Sequence, residues 1–339
     1  MSEREITAQE EVAQVHMGRP HVVILGAGAS RATFPDGDKN GKILPLMKDF
    51  AQVLNLQSLF EKFGLKSNAN FEDVFSDLYE NGDMEKVEII QKKISNYFKS
   101  LQLTNHPTIY DHLVLSLRGK DIIATFNWDP LLLDAYVRNK DKVISLPKLA
   151  FLHGNVGVGW CEKDKKVGLS FRSCPKCNTH YSPVPLLYPI KKKNYSANLF
   201  IQNEWETLKW GLKNAFMITI FGYSGPKSDE EAIGVMKEAW GDKYKRELEQ
   251  TAFITPLEEE EIHDNWKSFI HTHHYEIDND FYNSWIANHP RRTGEAWMHQ
   301  YIEAKFIDNN PIPKDMNFPE LWEWYAKFRE PEEQFLKNM

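Results

Sequence analysis

The sequence lacks the features that mark a membrane, secreted or nucleic-acid-binding protein. None of its apolar runs reaches the roughly 18 residues that a transmembrane helix needs, and the polar segment Met1–Pro20 lacks the apolar core of a signal peptide. A net charge of -7 argues against the broad basic surface that binds nucleic acid. We therefore expect a cytoplasmic protein that binds neither nucleic acid nor a membrane directly.

Cysteine is scarce, and the three cysteines all lie between positions 161 and 177. In the reducing cytosol, such a group indicates metal binding rather than disulfides. A histidine follows them, and thiolates and imidazole suit tetrahedral Zn²⁺. The candidate ligands of a structural zinc are Cys161, Cys174, Cys177 and His180. The alternative is a ribbon that has lost its metal and keeps the cysteines as small apolar residues.

Two phosphate-binding motifs are incomplete. Gly26-Ala27-Gly28 follows an apolar strand, but Arg31 stands where the dinucleotide fingerprint has its third glycine. No strand ending in an acidic residue follows about 20 positions later, so the usual dehydrogenase pattern fails. Gly41-Lys42 precedes Ile43, where a P-loop needs Ser or Thr to bind Mg²⁺. The first glycine pair alone leaves a ligand-binding loop and a tight turn both open.

The apolar content is high, at 42% hydrophobic and 13% aromatic residues, which predicts a folded chain with a sizeable core. Four apolar runs read as buried strands of a parallel sheet, each ending in small or functional residues. Because open α/β sheets bind ligands at the carboxyl ends of their strands, we expect one crevice there. The residues after the four strands are Gly26–Ser30, Asn127 with Asp129, His153 with Gly154, and Gly222–Gly225.

The predicted fold class is α/β: a Rossmann-like parallel sheet with a helical insertion, a small zinc-ribbon-like module and a helical C-terminal region. Apolar spacings of three and four predict helices over about 46–117, and Thr251–Pro256 reads as a further core strand. The aromatic C-terminal region, with Trp285, Trp297, Trp322 and Trp324, is expected to pack or to form a subunit interface. Surface positions are predicted for Lys191–Lys193 and for His271, His273 and His274.

In their order along the chain, Gly26–Ser30, Thr125–Asp129, His153-Gly154 and Gly222–Ser224 with Asp229 resemble the motifs of the sirtuin superfamily. The resemblance is closer to the sirtuin-like NAD-cleaving effectors of bacterial antiviral defence, and it covers roughly residues 21–230. It implies NAD in the crevice and Asn127 with His153 as the catalytic pair. It also implies cofactor contacts from Gly26, Ala27, Gly28, Ser30, Thr125, Asp129, Gly222 and Ser224.

Domain boundaries are expected at 1–20 for a leader, 21–292 for the catalytic domain and 293–339 for the C-terminal region. The catalytic domain includes the helical insertion and a Cys-containing module at about 155–195. The segment Ser284–Glu295 resembles the one that closes this domain in such proteins.

The chain departs from protein-deacylating sirtuins in two places. Pro35-Asp36 continues as Gly37-Asp38 where they carry Pro-Asp-Phe-Arg, and three cysteines stand where they have four. We therefore expect an NAD glycohydrolase (NADase) that depletes NAD in antiviral defence, gated by homo-oligomerisation or by a second defence protein. The alternatives are a non-catalytic module that senses NAD or another nucleotide, and an NAD-dependent protein deacylase.

The residue types suit this chemistry, because cleavage of the nicotinamide–ribose bond passes through a cation-like ribose. Asn127 can hold water or ribose without adding charge, and His153 can act as a general base near neutral pH. The backbone amides of residues 26–30 are expected to hold the pyrophosphate. Asp129 is expected to position either Asn127 or a ribose hydroxyl. The loop Arg31–Pro45, rich in glycine and aspartate, is expected to gate the site.

Overall fold

A computed structural model describes residues 5–66, 68–190, 195, 198–225, 229–242, 246, 249–267, 269–270 and 275–338. The surface positions predicted for Lys191–Lys193 and for His271, His273 and His274 lie outside the described residues. In chain order the described strands are β1 (Glu5–Ile6), β2 (His21–Leu25), β3 (Ile122–Thr125), β4 (Lys148–Phe151), β5 (Val158–Cys161), β6 (Lys166–Leu169), β7 (Ser182–Pro183), β8 (Met217–Phe221), β9 (Gln250–Ile254), β10 (Tyr275–Asp278) and β11 (Phe306–Ile307).

Helices fill most of the remaining chain, with short helical turns at Met47–Asp49, Phe281–Asn283 and Met298–Ile302. In chain order the described helices are α1 (Ala8–Ala13), α2 (Ala27–Thr33), α3 (Phe50–Val53), α4 (Gln57–Lys62), α5 (Phe71–Glu80), α6 (Met84–Lys99), α7 (Ile109–Leu115), α8 (Leu131–Asn139), α9 (Leu199–Asn214), α10 (Glu230–Trp240), α11 (Glu259–Trp266), α12 (Trp285–Asn288), α13 (Thr293–Trp297), α14 (Phe318–Ala326) and α15 (Arg329–Lys337). None of them is long and apolar enough to cross a membrane.

The main sheet has six parallel strands in the order β10-β9-β8-β2-β3-β4. Its central strands are continuous apolar runs because both faces of the sheet are covered. Val22 and Ile24 of β2 pack into a core with α9, α10 and α11. Val23 and Leu25 pack on the opposite face, in a core with the helices between β2 and β3. The predicted α/β class, with its parallel sheet, is confirmed, and so is the further core strand, β9.

The strand order reverses at β2. The chain runs from β2 outward through β3 to β4, and later returns to place β8 on the other side of β2. The carboxyl ends of β2 and β8 therefore flank a topological switch point, where sheets of this kind bind ligands. Thr125 at the end of β3 lies opposite both Leu25 and Phe151. As a result, the residues that follow β2, β3, β4 and β8 leave the sheet at one edge.

The segment between β2 and β3 is helical as predicted, and its aromatic residues form a core. Phe50 stacks on Phe71 with ring centroids 4.5 Å apart, and Trp128 after β3 packs edge-on to Phe50. A capping box at Thr108 and Asp111 begins α7, which packs on α2 and α8. This packing places α7 next to the loop that follows β2.

Two further units flank the sheet. The cysteine-containing module is a small antiparallel sheet in the order β6-β5-β7. The C-terminal helices lie on the main core: Leu321, Tyr325 and Phe328 are buried in the same cluster as α5, α6 and α7. β1 and β11 pair in parallel and connect the N-terminal segment to the C-terminal region.

Buried ion pairs tie the segment from α12 to α13 to distant parts of the chain. Arg291 and Arg292 both contact Glu332 on α15, at 2.5 and 2.9 Å. Glu295 lies 2.8 Å from Arg118, in the turn before β3. Because removing one partner of a buried pair leaves an uncompensated charge, loss of any of these side chains is expected to destabilise the fold.

Candidate functional site

Three glycines let the loops after β2 and β8 touch at the switch point. A Cβ on Gly26 or Gly28 would lie 2.6 or 2.7 Å from the carbonyl oxygen of Gly222, and Gly222 itself has a φ of +61°. The Gly28 amide donates to the Gly222 carbonyl at 2.9 Å, so this expected phosphate donor is used within the protein. The observed role of these glycines is close backbone packing, while Ala27 is exposed and pyrophosphate binding stays a prediction.

The side chain of Asn127 is held in one orientation beside these glycines. Its Nδ2 donates to the Gly26 carbonyl at 2.8 Å and to the Ser30 hydroxyl at 3.0 Å. A primary amide has two hydrogens on nitrogen, and both are used by these bonds. The amide oxygen, Oδ1, is therefore the acceptor that Asn127 presents to a ligand or a water molecule.

The Ser30 hydroxyl connects Asn127 to a buried carboxyl group. Ser30 Oγ lies 2.7 Å from Asp129 Oδ2 and 2.6 Å from the Tyr110 hydroxyl. Since a hydroxyl has one hydrogen and two lone pairs, Ser30 donates to Asp129 and accepts from Tyr110 and Asn127. Burial raises the pKa of Asp129, and the hydrogen bond from Ser30 opposes that shift. Of the two expected roles of Asp129, this geometry supports the positioning of Asn127.

Two more side chains brace the backbone around Asn127. The buried Thr125 hydroxyl accepts the Asn127 backbone amide at 3.0 Å, so its observed contact is with Asn127, and contact with a cofactor stays a prediction. Asn155 is also buried and donates to the Asp129 carbonyl at 2.5 Å. Its Oδ1 accepts the Gly157 amide at 2.8 Å. The turn from Asn127 to Asp129 is thus fixed from both sides.

His153 follows the neighbouring strand β4 and is buried among aromatic rings. Its ring meets Phe126 edge-on with centroids 4.8 Å apart and lies nearly parallel to Tyr195 at 6.2 Å. Phe126 in turn stacks on Tyr223 at 4.4 Å, and the Tyr223 hydroxyl donates to Asp229 at 2.9 Å. The loops after β3, β4 and β8 therefore meet through one aromatic cluster next to His153.

The residue after His153 has to be glycine. Gly154 has a φ of +77°, and a Cβ there would lie 2.0 Å from the Pro185 carbonyl oxygen. His153 is therefore followed at once by a sharp turn. Ser224, a further predicted cofactor contact, is exposed on the loop after β8.

The cysteine module holds a four-residue cluster of possible metal ligands. One ligand atom from each of Cys161, Asp164, Cys174 and Cys177 lies within 4.8 Å of the others. Cys161 Sγ is 3.5 Å from Cys177 Sγ, and Cys174 Sγ is 3.3 Å from Asp164 Oδ2. A tetrahedral zinc with Zn–S bonds of about 2.3 Å has edges of about 3.8 Å, so this donor set fits zinc. Binding of zinc itself stays a prediction.

The prediction of His180 as the fourth ligand is wrong, since Asp164 takes that place. Ser173 and His180 form an antiparallel bridge, and the Cys174 amide bonds to the Thr179 carbonyl. Adjacent residues of an extended strand point to opposite faces, so His180 lies on the other face from Cys174. His180 is exposed, and its Nδ1 lies 3.3 Å from Ser173 Oγ.

Comparison with known proteins gives similarity to solved structures only. No protein-family model matches the chain, and no curated protein sequence matches it. Among solved structures it is similar to a Sir2 complex with p53 peptide and NAD⁺, at 15% identity over 84% of this chain and 93% of that one, with a TM-score of 0.36. A complex of a Sir2 homologue with ADP-ribose is 14% identical over 90% and 97% of the two chains, with a TM-score of 0.37.

Three residues of these sites had no prediction from sequence: Tyr110, Asn155 and Asp164. Asp164 had a usable signal, because Cys161 and Asp164 repeat the two-residue spacing of Cys174 and Cys177. Tyr110 had none, since it is one of many aromatic residues in a helical segment and meets Ser30 only through the packing of α7 on α2.

Proposed function

We propose that this chain is an enzyme that cleaves the nicotinamide–ribose bond of NAD with water as the acceptor. The observation that supports it best is the oriented carboxamide of Asn127 at the switch point, with His153 after the neighbouring strand. An amide oxygen and an imidazole at that edge supply an acceptor and a proton carrier without a strong nucleophile. A glycosidic cleavage through a cation-like ribose needs no more than these.

Asn127 and His153 have separate roles in the proposed reaction. The bond between the ribose carbon and the nicotinamide nitrogen breaks, its electron pair leaves with nicotinamide, and the ribose becomes cation-like. Asn127 Oδ1 accepts a hydrogen bond from the attacking water or from a ribose hydroxyl. Water adds to the ribose carbon and its proton passes to His153, which gives ADP-ribose and nicotinamide.

An enzyme that depletes NAD must be held in check in its own cell, and gating by a homo-oligomer or by a second defence protein belongs to this proposal. The role in antiviral defence rests on the motif resemblance. The predicted loop Arg31–Pro45 is shorter than expected, because α2 extends to Thr33. The rest of it is more ordered than its composition indicates, because the buried Asp38 carboxylate accepts the amides of Asn40, Lys42 and Gln102. Gating through this loop would have to break those bonds.

A second candidate function is an NAD-dependent protein deacylase. The presence of only three cysteines argues against a deacylase, because deacylating sirtuins have four. Asp164 completes the cluster of Cys161, Cys174 and Cys177, so this departure is a replacement of one ligand rather than a loss of the module. A sensor that binds NAD without cleaving it is the third candidate.

Nicotinamide release from NAD by the purified full chain separates the three candidates when it is measured with and without an acylated lysine peptide, and both alone and with the proteins encoded by the neighbouring genes. The hydrolase releases nicotinamide without peptide, the deacylase needs the peptide, and the sensor binds NAD without release. Light scattering beside the same assay shows whether activity follows assembly.

For the hydrolase, we expect Asn127→Ala and His153→Ala each to lower the rate at least ~10²-fold. The exposed residues Asn96 and His106 provide the matched controls Asn96→Ala and His106→Ala, which should keep full activity. Urea unfolding of each variant checks the fold. Activity retained in both site variants would refute the assignment.

A further inference from the structure

His153 follows an edge strand, so the sheet can hydrogen-bond to the backbone before His153 on one side only. β4 has β3 as its single neighbour among the described strands. The Leu152 amide donates to the Thr125 carbonyl at 2.9 Å. Because successive amides of a strand point to opposite sides, the Phe151 amide faces away from β3. A backbone amide in this position needs another acceptor.

Two adjacent residues of α9 bind the chain immediately before His153. Glu204 Oε2 accepts the Phe151 amide at 2.7 Å. The Trp205 indole donates to the Leu152 carbonyl at 3.1 Å. Helix α9 lies close to the sheet, since a Cβ on Gly211 would come within 2.5 Å of the Ile122 side chain.

The same helix also contacts the rings that flank His153. The Trp205 ring lies 4.5 Å from that of Tyr195 and 6.1 Å from that of Phe126, between centroids. Burial raises the pKa of Glu204 to about 7, and the hydrogen bond from Phe151 opposes this shift. A carboxylate accepts a stronger hydrogen bond than a neutral carbonyl does, so the ionised form binds the strand more firmly.

We propose that Glu204 and Trp205 are positioning residues that set the place and the ring orientation of His153. Helix α9 thus binds the backbone of the two residues before His153 and contacts the two rings that flank it. The kinetic consequence rests on the proposed function, whereas the placement of His153 is a property of the fold.

The test uses the full chain labelled at histidine, with the His153 ring signal identified by its loss in His153→Gln. We expect Trp205→Phe, which keeps a ring but loses the indole donor, and Glu204→Ala to shift this signal. Glu204→Gln keeps an acceptor oxygen and should shift it less. The exposed residues Glu206 and Trp210 on the same helix give the matched controls Glu206→Gln and Trp210→Phe, which should leave the signal unchanged.

In the NAD assay, we expect Trp205→Phe and Glu204→Ala to lower kcat by roughly 10- to 100-fold while KM changes little, because misplacement of a catalytic group acts on the chemical step. Partial rescue of kcat in Glu204→Gln supports the positioning role. Unchanged His153 signals in both Trp205→Phe and Glu204→Ala, measured on folded protein, would overturn the inference. Shifted signals in a chain that cleaves no NAD would uphold it and refute the proposed function instead.

Discussion

Two neighbours decide which atom of Asn127 a ligand meets, the Gly26 carbonyl and the Ser30 hydroxyl, which both accept from the amide nitrogen. Ser30 gives its single hydrogen to the Asp129 carboxylate, so it must accept from Asn127, and the amide nitrogen faces inward. An asparagine at position 129 would instead donate to Ser30. The serine hydrogen would then turn toward Asn127 and oppose the orientation that the Gly26 carbonyl favours. Asp129, two hydrogen bonds away, thus helps to keep the amide oxygen of Asn127 directed at the crevice.

Asp129→Asn, which is nearly isosteric, should lower kcat for NAD cleavage by about 10-fold or more, because the Asn127 amide is then less firmly oriented. Tyr110→Phe removes a donor to Ser30 but keeps the polarity of the network, so its effect on kcat should be smaller. Steady-state kinetics of both variants beside wild type give the comparison. An unchanged kcat in Asp129→Asn would contradict the orientation of Asn127 by Asp129 through Ser30. A larger loss of kcat in Tyr110→Phe than in Asp129→Asn would contradict it as well.

The residues at strand ends were predictable from sequence, and those that support them were not. Asn127 and His153 stand directly after apolar runs, and a buried parallel strand leaves a clear mark in the sequence. Tyr110 meets Ser30 across 80 positions of the chain, and only the packing of two helices brings them together. The burial of Asp38 was not predictable either, because its position in a glycine-rich loop indicated a flexible segment rather than a buried carboxylate.

At the scale of elements, the main strands and helices follow their apolar patterns, whereas the short pairings do not. β1 and β11 have two residues each, which is too short for a recognisable apolar run. Each is a strand only because it pairs with the other. The cysteine module is similar: its buried cluster consists of Cys161, Cys174 and Tyr181, with Cys177 packed against it. So small an apolar core contributes little to the stability of the module. A bound metal would supply the stability that the core does not provide.

We therefore predict about one zinc per chain in protein purified without a histidine tag. Asp164→Ala and Cys174→Ser should lose zinc and melt at lower temperature, because each removes a ligand from the cluster. His180→Ala should keep both zinc and melting temperature, since that side chain lies on the other face. Elemental analysis and thermal unfolding with and without a chelator provide the measurements. Metal-free protein with an unchanged melting temperature in Cys174→Ser would establish the ribbon that has lost its metal.

At the scale of the whole molecule, the last helices are bound to the rest of the chain by charge as well as by apolar packing. Arg291 and Arg292 are fully buried and share the carboxylate of Glu332, while Tyr325 bonds to Ser116 in the core. A boundary at 292 that separates an independently folding domain stays a prediction. These contacts make it testable, because a chain cut there would lose the partner of both guanidinium groups.

Glu332→Ala should lower the free energy of unfolding by about 3–5 kcal/mol, the usual cost of leaving a buried charge without its partner. The matched control is Glu330→Ala, an exposed residue on the same helix, which should change it by less than ~1 kcal/mol. Urea unfolding of the two variants at neutral pH gives both values. Equal and small effects would mean that the ion pairs of Glu332 are dispensable to the fold, and the chain cut after Arg292 could then be tested for folding and for partner-dependent activity. A large and selective loss in Glu332→Ala means that oligomerisation and NAD cleavage have to be measured on the full chain, since truncation would unfold the protein.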